Sequence, residues 1–110
     1  MTTSNESDDM YERLLSINHE AFEGNYYETA YHALVAALHR AQDIDAVHLI
    51  VSVEQLATEQ MNFIDTHAPN HPLSSHSASA RGNRSVYRLL AIQAATRGRI
   101  VASNQERENL

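Results

Sequence analysis

"GNYYETAYHALVAALHRAQDID", residues 24 to 45, decides the architecture of the chain. Gly24 and Asn25 are the residue types most willing to adopt the left-handed conformation that closes a helix, so they end whatever precedes them. From Tyr26 to Ala41, the side chains Tyr27, Ala30, Leu34, Ala37, Leu38 and Ala41 recur at helical intervals, while Glu28, His32, Ala36 and His39 fall away from that stripe. This is the period of an amphipathic helix, and its alanines let neighbouring backbones come close. "QDID" then leaves only a short link, so the flanking helices are expected to run antiparallel to this one.

Upstream, Asp8 or Asp9 is placed to cap a first helix. Tyr11, Leu14, Leu15, Ile17, Asn18, Ala21 and Phe22 fall on one side of a wheel drawn at about 100° per residue, with Glu12, Ser16, His19, Glu20 and Glu23 opposite. Downstream, Asp43 or Asp45 is placed to cap a third helix, with Ala46, Leu49, Ile50, Val53, Leu56, Ala57, Met61 and Ile64 on its apolar face. "HAPNHP" ends that helix at His67, because proline disfavours helix in the residue before it and has no amide hydrogen to donate. A fourth helix, capped by Asn83 or Ser85, runs from Val86 to about Arg97, where Gly98 is placed to stop it, although Ile100 and Val101 continue the period. Val86, Leu89, Leu90, Ala91, Ile92, Ala94 and Ala95 cover most of its circumference, so it is either the most buried helix or the cover of a partner.

These readings predict an all-α fold, a small antiparallel four-helix bundle with a long loop between the third and fourth helices. The loop, "HAPNHPLSSHSASARGNRS" (residues 67 to 85), is rich in serine and alanine and is expected to be a pliable crossover that orders on binding. Residues 1 to 7 are expected to form a disordered tail, 8 to 102 a single helical-bundle domain, and 103 to 110 a frayed C-terminal tail.

Composition narrows the chemistry. The 110 residues hold 43% hydrophobic side chains but only three glycines and two prolines, a balance that favours long helices over a turn-rich sandwich. There is no cysteine, which removes disulfides, thiolate zinc sites and thiol nucleophiles together. No basic and apolar leader is present, and the longest apolar run, Ala46 to Val53, is too short for a bilayer, so a cytoplasmic chain with no membrane partner is expected. The net charge of −6 is unevenly spread: residues 1 to 65 carry twelve acids against Arg13 and Arg40, whereas residues 66 to 105 carry Arg81, Arg84, Arg88, Arg97 and Arg99 and no acid. Every basic residue is arginine, the better donor to carboxylate or phosphate, so the second half is suited to an anion or to the acidic half of a neighbouring copy.

The stretch "EGNYYETAYHALVAALHRA" resembles the second helix of a tetratricopeptide repeat, matched by Tyr27, Ala30, Leu34, Ala37 and Leu38. Leu14 and Asn18 stand where that family has a tryptophan and a small residue, and no proline follows. The resemblance covers residues 14 to 41 and implies a helical hairpin of protein-interaction type without catalysis.

Three sets of residues carry candidate chemistry. Arg81 and Arg84 precede the fourth helix and Arg88 lies one turn beyond, beside the partial positive charge of the helix N-terminus, an arrangement suited to an anionic ligand. The acidic remainder, and the scarcity of aromatics near the arginines, argue against nucleic acid and for pairing with acids of the first three helices, within one bundle or across a dimer. Seven histidines raise the question of metal, and His67, His71 and His76, spaced four and five apart on the loop, are the candidates. No cysteine and no Glu-x-x-His pair supports them, so no metal or other cofactor is assigned. The loop serines lack a nucleophile elbow, and neither a phosphate-binding loop nor a GxGxxG motif occurs. Among the tyrosines, Tyr31 and Tyr87, with Leu90, are expected at an interface. The expected function is a non-enzymatic helical-bundle protein for protein interaction, associating with itself. Binding of an anion or nucleic acid through Arg81, Arg84 and Arg88 is the alternative, and a histidine metal site the third.

Overall fold

A computed structural model describes residues 8 to 109, and Asp8 opens its first helix. The Asp8 carboxylate accepts the Tyr11 amide at 2.8 Å, satisfying one of the donors that the first turn leaves free, and α1 (Asp9–Glu23) follows. Helix α2 (Tyr27–Asp43) and helix α3 (Val47–His67) come next, each after a link of three residues. Both links reverse the chain by the same device. Asn25 (φ 67°) and Asp45 (φ 52°) adopt the left-handed conformation, and the amides of Tyr26 and Ala46 reach back to the carbonyls of Ala21 and Ala41. Asp45, expected as the cap of the third helix, serves instead as the left-handed stop of the second; Ala46 occupies the cap position without a side-chain bond.

The expectation of an all-helical chain holds, with no strand among the described residues, but the second half differs from the sequence reading. The segment expected as one long pliable loop contains a short helix, α4 (Ser75–Ala80). Asp65, at the end of α3, accepts both the amide and the hydroxyl of Ser75 at 2.7 Å, and the buried hydroxyl of Ser74 donates to the Pro69 carbonyl. Gly82 (φ 77°) then makes a third left-handed stop, with the Asn83 amide on the Ala78 carbonyl. Ser85 caps α5 (Val86–Glu108), which is longer than expected: it runs through Gly98 and through the residues assigned to a frayed tail. Gly98 is buried where α5 packs on α3, and a Cβ there would stand in ordinary contact, 3.4 Å, with Ile50 Cγ2. The expected tail at residues 1 to 7 lies outside the described residues.

Helix α2 is the centre of the molecule. Its buried face, Tyr27, Ala30, Ala33, Leu34, Ala37, Leu38 and Ala41, is wide and mostly small, so α1, α3 and α5 all pack against it. Helix α5 packs on α3 as well, but α1 and α5 do not pack together. An up-and-down bundle closes its first helix against its last; here that contact is missing and two hairpins lie side by side in a slab of 49 × 29 × 17 Å. The thin dimension is two helices deep at the usual spacing of about 10 Å. Buried polar groups tie the hairpins across this slab: Tyr11 Oη donates to the Leu49 carbonyl at 3.1 Å and Tyr87 Oη to the Tyr27 carbonyl at 2.7 Å. Asn18 of α1 and Gln60 of α3 exchange amide hydrogen bonds at 3.1 and 2.7 Å, and Asn18 Nδ2 also donates to the Ala30 carbonyl of α2.

Candidate interaction surface

The core decides which side of α5 faces outward. Tyr87, Leu90, Ala94 and Gly98 are buried, three or four residues apart, against α3 and α2. A helix advances by about 100° per residue, so Leu89, Ile92, Thr96 and Ile100 form a row on the opposite side. Leu89, Ile92 and Ile100 are 48%, 45% and 46% exposed. Arg88 and Arg99 flank this row on one edge and Arg97 on the other, all exposed. The row continues toward Ser103 and Arg107, where it forms a shallow hollow of about 250 Å³.

None of these arginines forms an ion pair among the described residues. Among the described residues the ion pairs are Arg13 with Asp9, both on α1, and Arg40 with Asp8. The expectation that the arginines of residues 81 to 99 pair with acids of the first three helices inside one bundle is therefore not met. Arg81 donates to the Pro72 carbonyl at 3.0 Å, and Arg99 reaches the Thr96 hydroxyl at 3.5 Å. The three arginines of the anion-binding reading divide: Arg81 and Arg84 line one hollow of about 460 Å³ with Gly82, Asn83, Val86 and Leu89, while Arg88 stands outside it on the flank of α5.

The interface expectation needs correction at two of its three residues. Tyr87 and Leu90 are 0% and 1% exposed, and burial pushes the Tyr87 hydroxyl well above the usual tyrosine pKa, so both belong to the core and neither can meet a partner. Tyr31 is half-buried, its ring 5.6 Å from that of Tyr87 and 5.1 Å from that of His32. The residues that do face outward, Leu89 and Ile92, stand one and two residues from Leu90 in sequence. Their signal was the helix apolar on too many sides, since no single packing face accommodates them all.

The loop histidines are held apart. His67 stacks on Phe63 with ring centres 4.1 Å apart, His71 meets Tyr27 edge-on at 4.9 Å and accepts the Leu73 amide, and His76 is exposed on α4. Among the described residues no three His, Asp or Glu side chains are grouped as metal ligands. Ser74 and Ser75 use their hydroxyls on the Pro69 carbonyl and Asp65, as caps and ties of α4. No helix among the described residues is long and apolar enough to cross a membrane. No protein-family model matches the chain, and no similar curated protein or solved structure was found.

Proposed function

We propose that the chain is a non-enzymatic interaction protein that associates with further copies of itself through the outer face of α5. One observation carries this reading: Leu89, Ile92 and Ile100 stand in a single exposed row on a helix of 23 residues, edged by arginines without an ion pair among the described residues. Single exposed aliphatic residues need no explanation, whereas an aligned set edged by charge has the composition of a docking surface. Covering such a row gains roughly 25 cal/mol per Å² of apolar surface removed from water, and the arginines fix orientation. The tetratricopeptide-like hairpin proposed for residues 14 to 41 implies the same class of function.

Light scattering on protein eluting from a sizing column tests the reading. The expected mass rises above the 12.3 kDa of one chain as concentration increases, and Ile92→Glu holds it at one chain while leaving the helical circular dichroism unchanged. A wild-type protein that stays a single chain at the highest attainable concentration overturns it.

A second reading has its own support in the hollow lined by Arg81 and Arg84 at the head of α5, where the first amides of the helix add partial positive charge. There the chain would hold a phosphate-bearing ligand, with Arg88 one turn away. Retention on a phosphate-bearing matrix at low salt, lost in the Arg84→Ala, Arg88→Ala variant, is the expected result. No retention at low salt removes this reading.

A further inference from the structure

Resting on the self-association proposed above, we infer that α5 docks on the outer face of α1 in a second copy of this chain, in a head-to-tail contact. Helix α1 also has an uncovered side: it packs on α2, reaches α3 through Tyr11 and Asn18, and does not pack on α5. Its outward side carries Asp9, Glu12, Glu20 and Glu23, all exposed, and along one edge Met10 and Ile17 are 47% and 50% exposed. The single arginine there, Arg13, is paired with Asp9 at 3.2 Å. This face therefore offers what the α5 face lacks, carboxylates beside aliphatic side chains.

The spacings agree as well as the signs. Arg88 and Arg99 are eleven residues apart on α5, and Glu12 and Glu23 are eleven apart on α1, as are Asp9 and Glu20. Eleven residues make about three turns and roughly 16 Å on a straight helix, so two arginines can meet two glutamates in one register. With the two helices antiparallel, Arg88 beside Glu23 and Arg99 beside Glu12, Ile92 and Ile100, eight apart, lie along Ile17 and Met10, seven apart. Competing arrangements of the same surfaces set like charges together. Two α5 faces would oppose Arg88, Arg97 and Arg99 to their own copies, and two α1 faces would oppose four carboxylates to four. Helix α3 exposes Val51 and Phe63, but Glu59 is its single well-exposed carboxylate. Because the net charge of −6 repels one copy from another, docking depends on this local complementarity.

The two faces differ and lie on helices that do not pack together, so a single head-to-tail contact leaves one face unused at each end, whereas a reciprocal two-fold pair would use both and stop at two chains. Joined head to tail, copies add in series, into an open chain or a ring.

Two blocked variants test this. The α5-blocked protein carries Ile92→Glu and Ile100→Glu, the α1-blocked protein Met10→Lys and Ile17→Lys; all four sites are exposed, and circular dichroism with thermal unfolding verifies the fold. The wild type is expected to form a concentration-dependent series extending beyond two chains. Each blocked variant alone is expected to be a single chain. Their equal mixture is expected to give a two-chain species and nothing larger, since it holds one intact α5 face and one intact α1 face. An α1-blocked variant that associates as the wild type does overturns α1 as the acceptor and leaves association through α5 standing. A mixture that stays single-chain overturns the head-to-tail contact, and a monomeric wild type removes both readings. Charge exchange repeats the test without touching apolar residues. Glu12→Arg with Glu23→Arg is expected to weaken association about tenfold or more, as is Arg88→Glu with Arg99→Glu. Mixing these two proteins restores it, and failure to recover overturns the pairing.

Discussion

Tyr11 and Tyr87 show how single residues fix the pH range of the fold. The chain has no cysteine and all eight of its basic residues are arginine, so the tyrosines are the side chains that titrate between about pH 9 and 12. Burial pushes the Tyr11 hydroxyl up to about 12, and burial, with Tyr27 and Tyr31 nearby, pushes that of Tyr87 further up. In the unfolded chain both ionise near 10, so above that pH the folded state binds more protons than the unfolded one. Their contribution is thus fully present below about pH 10 and lost as pH rises toward the folded values. Urea unfolding at neutral pH and at about pH 11 is expected to show a steep loss in the wild type and a shallower one in Tyr11→Phe with Tyr87→Phe. At neutral pH each replacement is expected to cost about 1 kcal/mol for the lost hydrogen bond. An unchanged alkaline slope in the double variant would refute the assignment. Asp8 governs the opposite limb. The Arg40 guanidinium, and then the Tyr11 amide, hold its carboxyl below the ordinary aspartate value, so its stabilisation is present above that value and lost as pH falls through the lowered one. Asp8→Asn keeps a cap on α1 but loses the ion pair, so stability is expected to fall less with acid than in the wild type, read by thermal unfolding across pH 2 to 7.

At the scale of helices, Asn18 and Gln60 show which parts of the fold were legible. Four amphipathic stripes are written locally, at helical spacing, and the structure places helices on all four. Gln60 falls in the buried row of Ile50, Val53, Ala57 and Ile64, yet as a polar residue it escaped the apolar pattern. Its justification, the Asn18 amide 42 residues away, exists only once α1 and α3 come together. Helix α4 escaped for the same reason: six residues carry too little periodicity, and Asp65, which ties its first turn, stands ten residues upstream. Asn18→Leu strands a buried glutamine amide and is expected to cost about 2 kcal/mol or more, whereas Asn18→Leu with Gln60→Leu is expected to recover most of that loss. A double-mutant cycle by urea unfolding measures the coupling, and simple additivity of the two single losses would show that the amides are not paired. For α4, Asp65→Ala is expected to speed amide exchange in residues 74 to 82 while leaving the exchange of α3 and α5 in place.

Over the whole molecule, the division of charge was plain in the sequence while its consequence was not. Five arginines within residues 66 to 105 announce a basic half, but whether they meet acids in the same chain depends on how the hairpins lie. The rotation of α5 is likewise a tertiary matter. Moving the buried row by one residue exchanges Leu90 for Leu89, and that phase is set by the packing of α5 on α3 and α2. Once set, the outer surface combines two forces with opposite responses to salt. Raising ionic strength from about 0.01 to about 1 M shortens the screening length from roughly 30 to 3 Å, which removes attraction between arginines and carboxylates at exposed positions. The same change leaves the covering of Leu89, Ile92 and Ile100 intact, because removal of apolar surface from water carries no charge. Self-association is therefore expected to weaken severalfold across that range, reaching a residual level rather than disappearing. In Ile92→Glu the residual association is expected to vanish, and in Arg88→Glu with Arg99→Glu the salt dependence is expected to vanish or reverse. Sedimentation velocity at several salt concentrations reads all three. Association that strengthens steadily with salt in the wild type would mean that the aliphatic row acts alone and that the arginines have no part in the contact.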